Sequence, residues 1–159
     1  MRPIFLFLLS QMFAVVATVT VGAETLSEPV KVLDATNMRV GTQLVRLYGI
    51  AAPTAGDRCA LRTVTIKCGR IATTALMDLT AGVEVTCETH GDPNDKGVHL
   101  ATCKAKGYDL SEGMVYTGWA RPIKGAPAHY AQVEAGAKKR GRGLWKGKFP
   151  DAVNKAARR

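Results

Sequence analysis

The chain has 159 residues with 22 Lys/Arg, 13 Asp/Glu and four cysteines, for a formal net charge of +9. Beyond its N-terminal stretch no segment is long and apolar enough to cross a bilayer. No Cys-x2-Cys pair argues for a zinc site. The charge is unevenly placed: residues 24–137 hold twelve basic and twelve acidic side chains and are neutral. Residues 138–159 hold nine basic side chains against Asp151 alone. Within them Lys138, Lys139, Arg140, Arg142, Lys146 and Lys148 are the candidates for binding a polyanion. Charge concentrated in one end can draw polyanions without the fold itself being their site. A solvated helix end with a frayed terminus is the plainer alternative.

Residues 1–23 carry the pattern of a secretory signal peptide. Met1-Arg2-Pro3 is a short positive region and residues 4–21 are largely apolar. Val21-Gly22-Ala23 then places a small residue at a cleavage position. An uncleaved anchor is the competing reading, but the run is polar near its middle and is followed by Glu24-Thr25. No cysteine near the cleavage site supports lipid attachment. Cleavage after Ala23 leaves 136 residues, the size of one domain with a sizeable core. A periplasmic or secreted location follows, and there an even set of cysteines defaults to disulfides.

Taken in order, residues 29–34 (PVKVLD) alternate apolar and polar and predict a strand. Residues 38–40 and 44–48 predict two more around the Gly41-Thr42 turn. Residues 49–58 read as loop. Ile71, Ala75, Leu76 and Leu79 have helical spacing that stops at Gly82. Residues 83–87 (VEVTC) form a further strand, residues 90–97 (HGDPNDKG) a turn, and residues 99–104 (HLATCK) the returning strand. Asp109 or Ser111 caps a short helix through Met114, Val115 and Trp119, and residues 130–139 form a third. The expected fold is α+β, mainly β: a five-stranded OB-fold barrel with about three packed helices. Under that topology Cys87 and Cys103 meet across adjacent strands, and Cys59 and Cys68 close the loop entering the first helix. The chosen pairing is therefore Cys59–Cys68 with Cys87–Cys103.

Four strings in this order resemble the staphylococcal (thermonuclease-like) nuclease family. Residues 32–40 (VLDATNMRV) are similar to its first hairpin, and residues 45–53 (VRLYGIAAP) to its Arg-Leu-x-Gly-Ile-Asp-x-Pro segment. Residues 109–120 (DLSEGMVYTGWA) resemble its Val-Asn-x-x-Leu-Val-x-x-Gly-x-Ala helix, and Arg142-Gly143-Leu144-Trp145 its final Gly-x-Trp exit. Cys68-Gly69-Arg70 and Cys103 resemble an exported, cysteine-bearing branch in rhizobia-like bacteria, some members of which are linked to exopolysaccharide gene clusters. The resemblance covers residues 29–149. It implies a domain over residues 24–149, with residues 150–159 as a basic C-terminal tail.

The resemblance implies a calcium-dependent phosphodiesterase site made of metal carboxylates, a glutamate that activates water and two arginines. Carried onto this chain, the hairpin aspartate falls at Thr36 and the aspartate of the Gly-Ile-Asp-x-Pro string at Ala51. The glutamate falls at Thr54 and the second arginine at Val98. Only the first arginine is retained, as Arg46. Asp34 aligns with an earlier family aspartate, and Asp57 and Arg58 lie downstream on the loop. Threonine is no base at pH 7 and alanine no ligand, so hydrolysis by the family mechanism is not expected. No cofactor is expected either; calcium would be one only if the family site were intact.

Elsewhere, His90 and His99 flank a turn with Asp92 and Asp95, but their spacing matches no metal motif. With every cysteine assigned to a bridge, no thiol is left for catalysis. Trp119 and Trp145 fall on family core positions, and Tyr48, Tyr108 and Tyr116 are candidates for a groove. The expectation is an exported, catalytically inactive nuclease-fold monomer that binds a nucleic acid, an acidic polysaccharide or a protein partner. A divergent metal-dependent phosphodiesterase using Arg46 with Asp34 or Asp57 is one alternative. An accessory role in envelope or exopolysaccharide assembly is another.

Overall fold

The computed structural model of the chain describes residues 25–28 and 30–158. The expected signal segment and its cleavage site lie outside the described residues.

The main sheet is built from β1 (Thr25–Glu28), β2 (Val30–Val32), β3 (Asn37–Val40), β4 (Gln43–Leu47), β8 (Val85–Thr89) and β9 (Val98–Ala105). Two pairs of short strands and one added strand complete the described β structure. They are β5 (Ile50–Ala51) with β11 (Arg121–Pro122), β6 (Cys59–Leu61) with β7 (Val64–Ile66), and β10 (Tyr108–Asp109) on β9. Strand order in the main sheet is β1-β8-β9-β4-β3-β2, and β4 pairs with β9 in parallel. β1 also approaches β3, which curls the sheet into the expected OB-type half-barrel. Among the described residues four helices pack on it: α1 (Cys68–Thr80), α2 (Leu110–Tyr116), α3 (His129–Lys139) and α4 (Asp151–Arg158). Among the described residues no helix is long and apolar enough to cross a membrane.

Local patterns explain the main elements. In β3 and β4, Met38, Val40, Val45 and Leu47 are buried, while Arg39 and Arg46 alternate outward. Cys68, Ala72, Leu76 and Thr80 recur every four residues and form the buried stripe of α1. Asp109 caps α2, its Oδ1 accepting from the N–H groups of Ser111 at 2.8 Å and Glu112 at 3.2 Å. Its Oδ2 accepts from the buried Tyr130 hydroxyl at 2.7 Å, which docks α3 onto α2. Burial, reinforced by that carboxylate, pushes the Tyr130 hydroxyl far above the ordinary tyrosine value.

Two apolar clusters result. The larger lies between sheet, α1, α2 and α3 and contains the Cys87–Cys103 bridge. The smaller gathers Ala51, the Cys59–Cys68 bridge, Leu144, Phe149 and Val153. Trp119 packs against both.

Several expectations are corrected. The loop predicted over residues 49–58 contains β5, and the stretch between Cys59 and Cys68 is the hairpin β6–β7. Strands of two or three residues are too short to show alternation. Trp119 lies beyond α2, because Gly118 takes a φ of +79° and ends the helix. The basic tail predicted over residues 150–159 is largely the helix α4. Its Val153 and Ala156 lie three apart and dock against the smaller cluster, so it packs on the barrel.

Candidate functional site

Period-two alternation in β4 buries Val45 and Leu47 and turns Arg46 to solvent. Arg46 stands between Asn37 of β3 and Leu100 of β9. Among the described residues no carboxylate pairs with its guanidinium. Its charge is free to meet an anion.

The approach to β3 is organised by Asp34. Its Oδ1 accepts from the N–H groups of Thr36 and Asn37, each at 2.8 Å, and from the Thr36 hydroxyl at 3.2 Å. The Asn37 amide donates to both carboxylate oxygens, at 3.0 and 2.8 Å. This is an Asx-type turn in which Asp34 satisfies the local backbone.

The loop after β5 is tied in the same way. Asp57 Oδ2 accepts from the Thr54 N–H at 2.7 Å, and the Thr54 carbonyl accepts from the Asp57 N–H at 2.9 Å. Gly69 lies against this loop so closely that a Cβ there would overlap the Thr54 carbonyl. The Cys59–Cys68 bridge fixes the same segment to the start of α1.

These elements border a cavity of about 300 Å³ lined by Asp34, Thr36, Arg46, Ala51, Thr54 and Asp57, together with Ala152, Val153 and Ala156 of α4. Four of the five positions carried over from the nuclease resemblance, Thr36, Arg46, Ala51 and Thr54, therefore share one cavity. Calcium takes six to eight oxygens, mostly carboxylate or carbonyl. The carboxylates here are Asp34 and Asp57, and both already accept main-chain bonds. Among the described residues no group of three His, Cys, Asp or Glu side chains is placed to hold a metal. This donor set does not fit a calcium ion.

Arg46 also lines a second cavity of about 450 Å³, on the side of β9 and the turn after β8. Val98, the fifth carried-over position, lies here at the start of β9, with Leu100, Asp92, Asn94 and Ile123. Asn94 shapes the turn by accepting from the N–H groups of Lys96 and Val98. Tyr48 and His90 form one wall, their ring centroids 4.2 Å apart at an interplanar angle of 31°. The Tyr48 hydroxyl donates to the Gly125 carbonyl at 2.8 Å. The result is a guanidinium with an apolar, aromatic-walled recess beside it.

The two histidines do not converge on a metal. His90 Nε2 bonds the Thr102 hydroxyl at 2.8 Å, whereas His99 Nε2 bonds Gln43 Oε1 at 3.1 Å.

The six basic candidates stand apart from both cavities. Arg142 lies 3.7 Å above the Tyr116 ring and donates to the Tyr116 hydroxyl at 2.9 Å, with Arg140 5.9 Å from the same ring. Lys138 sits 5.6 Å from the Trp145 ring. Lys139, Lys146 and Lys148 are exposed. Trp145 itself packs edge-on to Phe149 at 5.0 Å and belongs to the smaller core.

Sequence reasoning did not pair Tyr48 with His90, because they are 42 positions apart and meet only when β4 and the β8–β9 turn are assembled. It also missed α4 as a wall of the site. The available signal was the Val153–Ala156 spacing, masked by the surrounding charge.

A curled barrel with packed helices, an outward arginine between two cavities and a carboxylate-ordered hairpin define a nuclease-type scaffold. The family described as staphylococcal nuclease homologue matches residues 44–147, and the chain belongs to that family. Among curated proteins nothing matches the chain.

Proposed function

We propose that this protein binds a phosphate-bearing polymer, single-stranded nucleic acid in the first place, at Arg46 without hydrolysing it by a calcium mechanism. The observation that carries this reading is Arg46 itself: exposed, unpaired among the described residues, and shared by two cavities. A phosphate against Arg46 leaves the 450 Å³ recess for the attached nucleoside, with Tyr48 and His90 as a stacking wall. Inactivity is supported by the side chains at the family's catalytic positions. Thr36 and Ala51 cannot replace metal carboxylates, Thr54 cannot activate water, and Val98 cannot stabilise a phosphorane.

The exposed lysines near the C-terminal end supply long-range, salt-sensitive attraction. Two disulfides are consistent with an oxidising compartment, and we take the chain to be exported. The test is fluorescence anisotropy with a labelled single-stranded oligonucleotide across a salt series, alongside an acidic polysaccharide as competitor. The reading expects binding that weakens with salt and is lost in Arg46→Ala. Binding indifferent to both salt and Arg46 would point instead to a protein partner.

A further inference from the structure

The wall of the Arg46 cavity supplied by α4 is unlike the others. Ala152, Val153 and Ala156 line the space together with Thr36 and Thr54, and Val153 is only 3% exposed. The other side of α4 carries Lys155 and Arg158, both exposed. The helix therefore shows small apolar groups to the cavity and two cations, with Asp151, to solvent.

Besides the docking of Val153 and Ala156 on the smaller apolar cluster, few polar bonds hold it there. Asn154 Oδ1 accepts from Arg121 Nη1 at 2.9 Å, and the Asn154 amide donates to the Phe149 carbonyl at 3.1 Å. Arg121 is itself held by Glu134 at 2.8 Å and lies 5.2 Å from the Trp145 ring. Among the described residues Asp151, Lys155 and Arg158 form no ion pair. A helix of 8 residues has little stability of its own and depends on this docking.

We propose that α4 is a lid on the Arg46 cavity, closed in the free protein and displaced when a phosphate-bearing strand binds. The proposal rests on the reading of Arg46 as the phosphate-binding residue and adds how access to it is controlled. A strand that crosses Arg46 out of the Tyr48–His90 recess enters the space that α4 borders. The unpaired cations on the outer face of α4 draw the anion to the place where the lid must yield. A lid of this kind lowers apparent affinity by the fraction of time it is shut.

The test uses the full protein. Val153→Asp puts a carboxylate where Val153 is buried and undocks α4, while adding a negative charge that by itself weakens polyanion binding. The expected result is roughly 3- to 10-fold tighter binding of a labelled single-stranded oligonucleotide. That gain should vanish in the double variant Val153→Asp/Arg46→Ala. Hydrogen exchange on the unmodified protein gives an independent reading: amides of residues 152–158 should exchange faster once the oligonucleotide is bound. Unchanged or weaker binding by both Val153→Asp and the uncharged Val153→Asn, or slower exchange in α4 on binding, would overturn the lid while leaving Arg46-dependent binding intact. Absence of oligonucleotide binding by both proteins would overturn the functional reading, and the lid with it.

Discussion

Asn37 stands directly opposite Arg46 in the β3–β4 ladder, and its side-chain amide donates to both oxygens of the Asp34 carboxylate and to the Thr36 hydroxyl. A carboxylate that shares the cavity with Arg46 is thus engaged in building the hairpin that presents it. This assigns Asp34 to structure. Replacing it by alanine leaves the Thr36 and Asn37 N–H groups without their acceptor, at a cost of about 1–3 kcal/mol. Urea denaturation of Asp34→Ala checks the loss. The same experiment with and without calcium should give one midpoint, because a ligand held by the native state alone would raise it.

Arg46 and the peripheral cations should separate by their salt behaviour. Arg46→Ala abolishes saturable oligonucleotide binding at low salt and leaves the melting temperature nearly unchanged, since the side chain is exposed and unpaired. Lys146→Gln/Lys148→Gln weakens binding and lowers the slope of log K against log salt by about 0.7 for each phosphate no longer neutralised. Anisotropy titrations over a salt series measure both effects.

The two bridges should differ in what they protect. Cys87→Ala/Cys103→Ala removes a core cross-link between residues 16 apart, costing roughly 3 kcal/mol with binding at Arg46 retained. Cys59→Ala/Cys68→Ala frees the loop that holds Thr54 and Asp57 and lowers oligonucleotide affinity as well as stability. Gly69→Ala acts on the same loop through its overlap with the Thr54 carbonyl. Denaturation curves and binding isotherms on the three variants separate these outcomes.

Alkaline stability reports on Tyr130. Its folded-state pKa lies above the ordinary value of 10.0, so its contribution is complete below that pH. As pH rises past 10 the unfolded chain ionises first, and stability falls. Tyr130→Phe costs about 1 kcal/mol at neutral pH through the lost bond to Asp109 and flattens this tyrosine's share of the alkaline decline. Thermal denaturation between pH 8 and 11, a range set by that ordinary tyrosine value, checks both effects.

Much of the scaffold was legible because it rests on repeating local patterns. The alternation of Met38, Val40, Val45 and Leu47 gave the hairpin, and the outward setting of Arg46 follows from it. The spacing along residues 71–79 gave α1, and the strand–turn–strand order gave the Cys87–Cys103 bridge. The clustering of Thr36, Arg46, Ala51 and Thr54 came from family strings, since no local period brings a hairpin and a later loop together. What escaped was tertiary. α4 has a run of charge around Val153 and Ala156 and reads as tail until Phe149 and Arg121 are in place to receive it. Tyr48 and His90 stack through sheet closure, which leaves no mark in either local sequence.

The central proposal is that the nuclease scaffold of this chain binds phosphate through Arg46 without a calcium site. That claim is tested most directly by incubating the protein with labelled single-stranded DNA and RNA in calcium or chelator and following binding and cleavage together. The expected result is binding in both conditions, lost in Arg46→Ala, with the strands left intact. Cleavage that requires calcium and disappears in Arg46→Ala would contradict it.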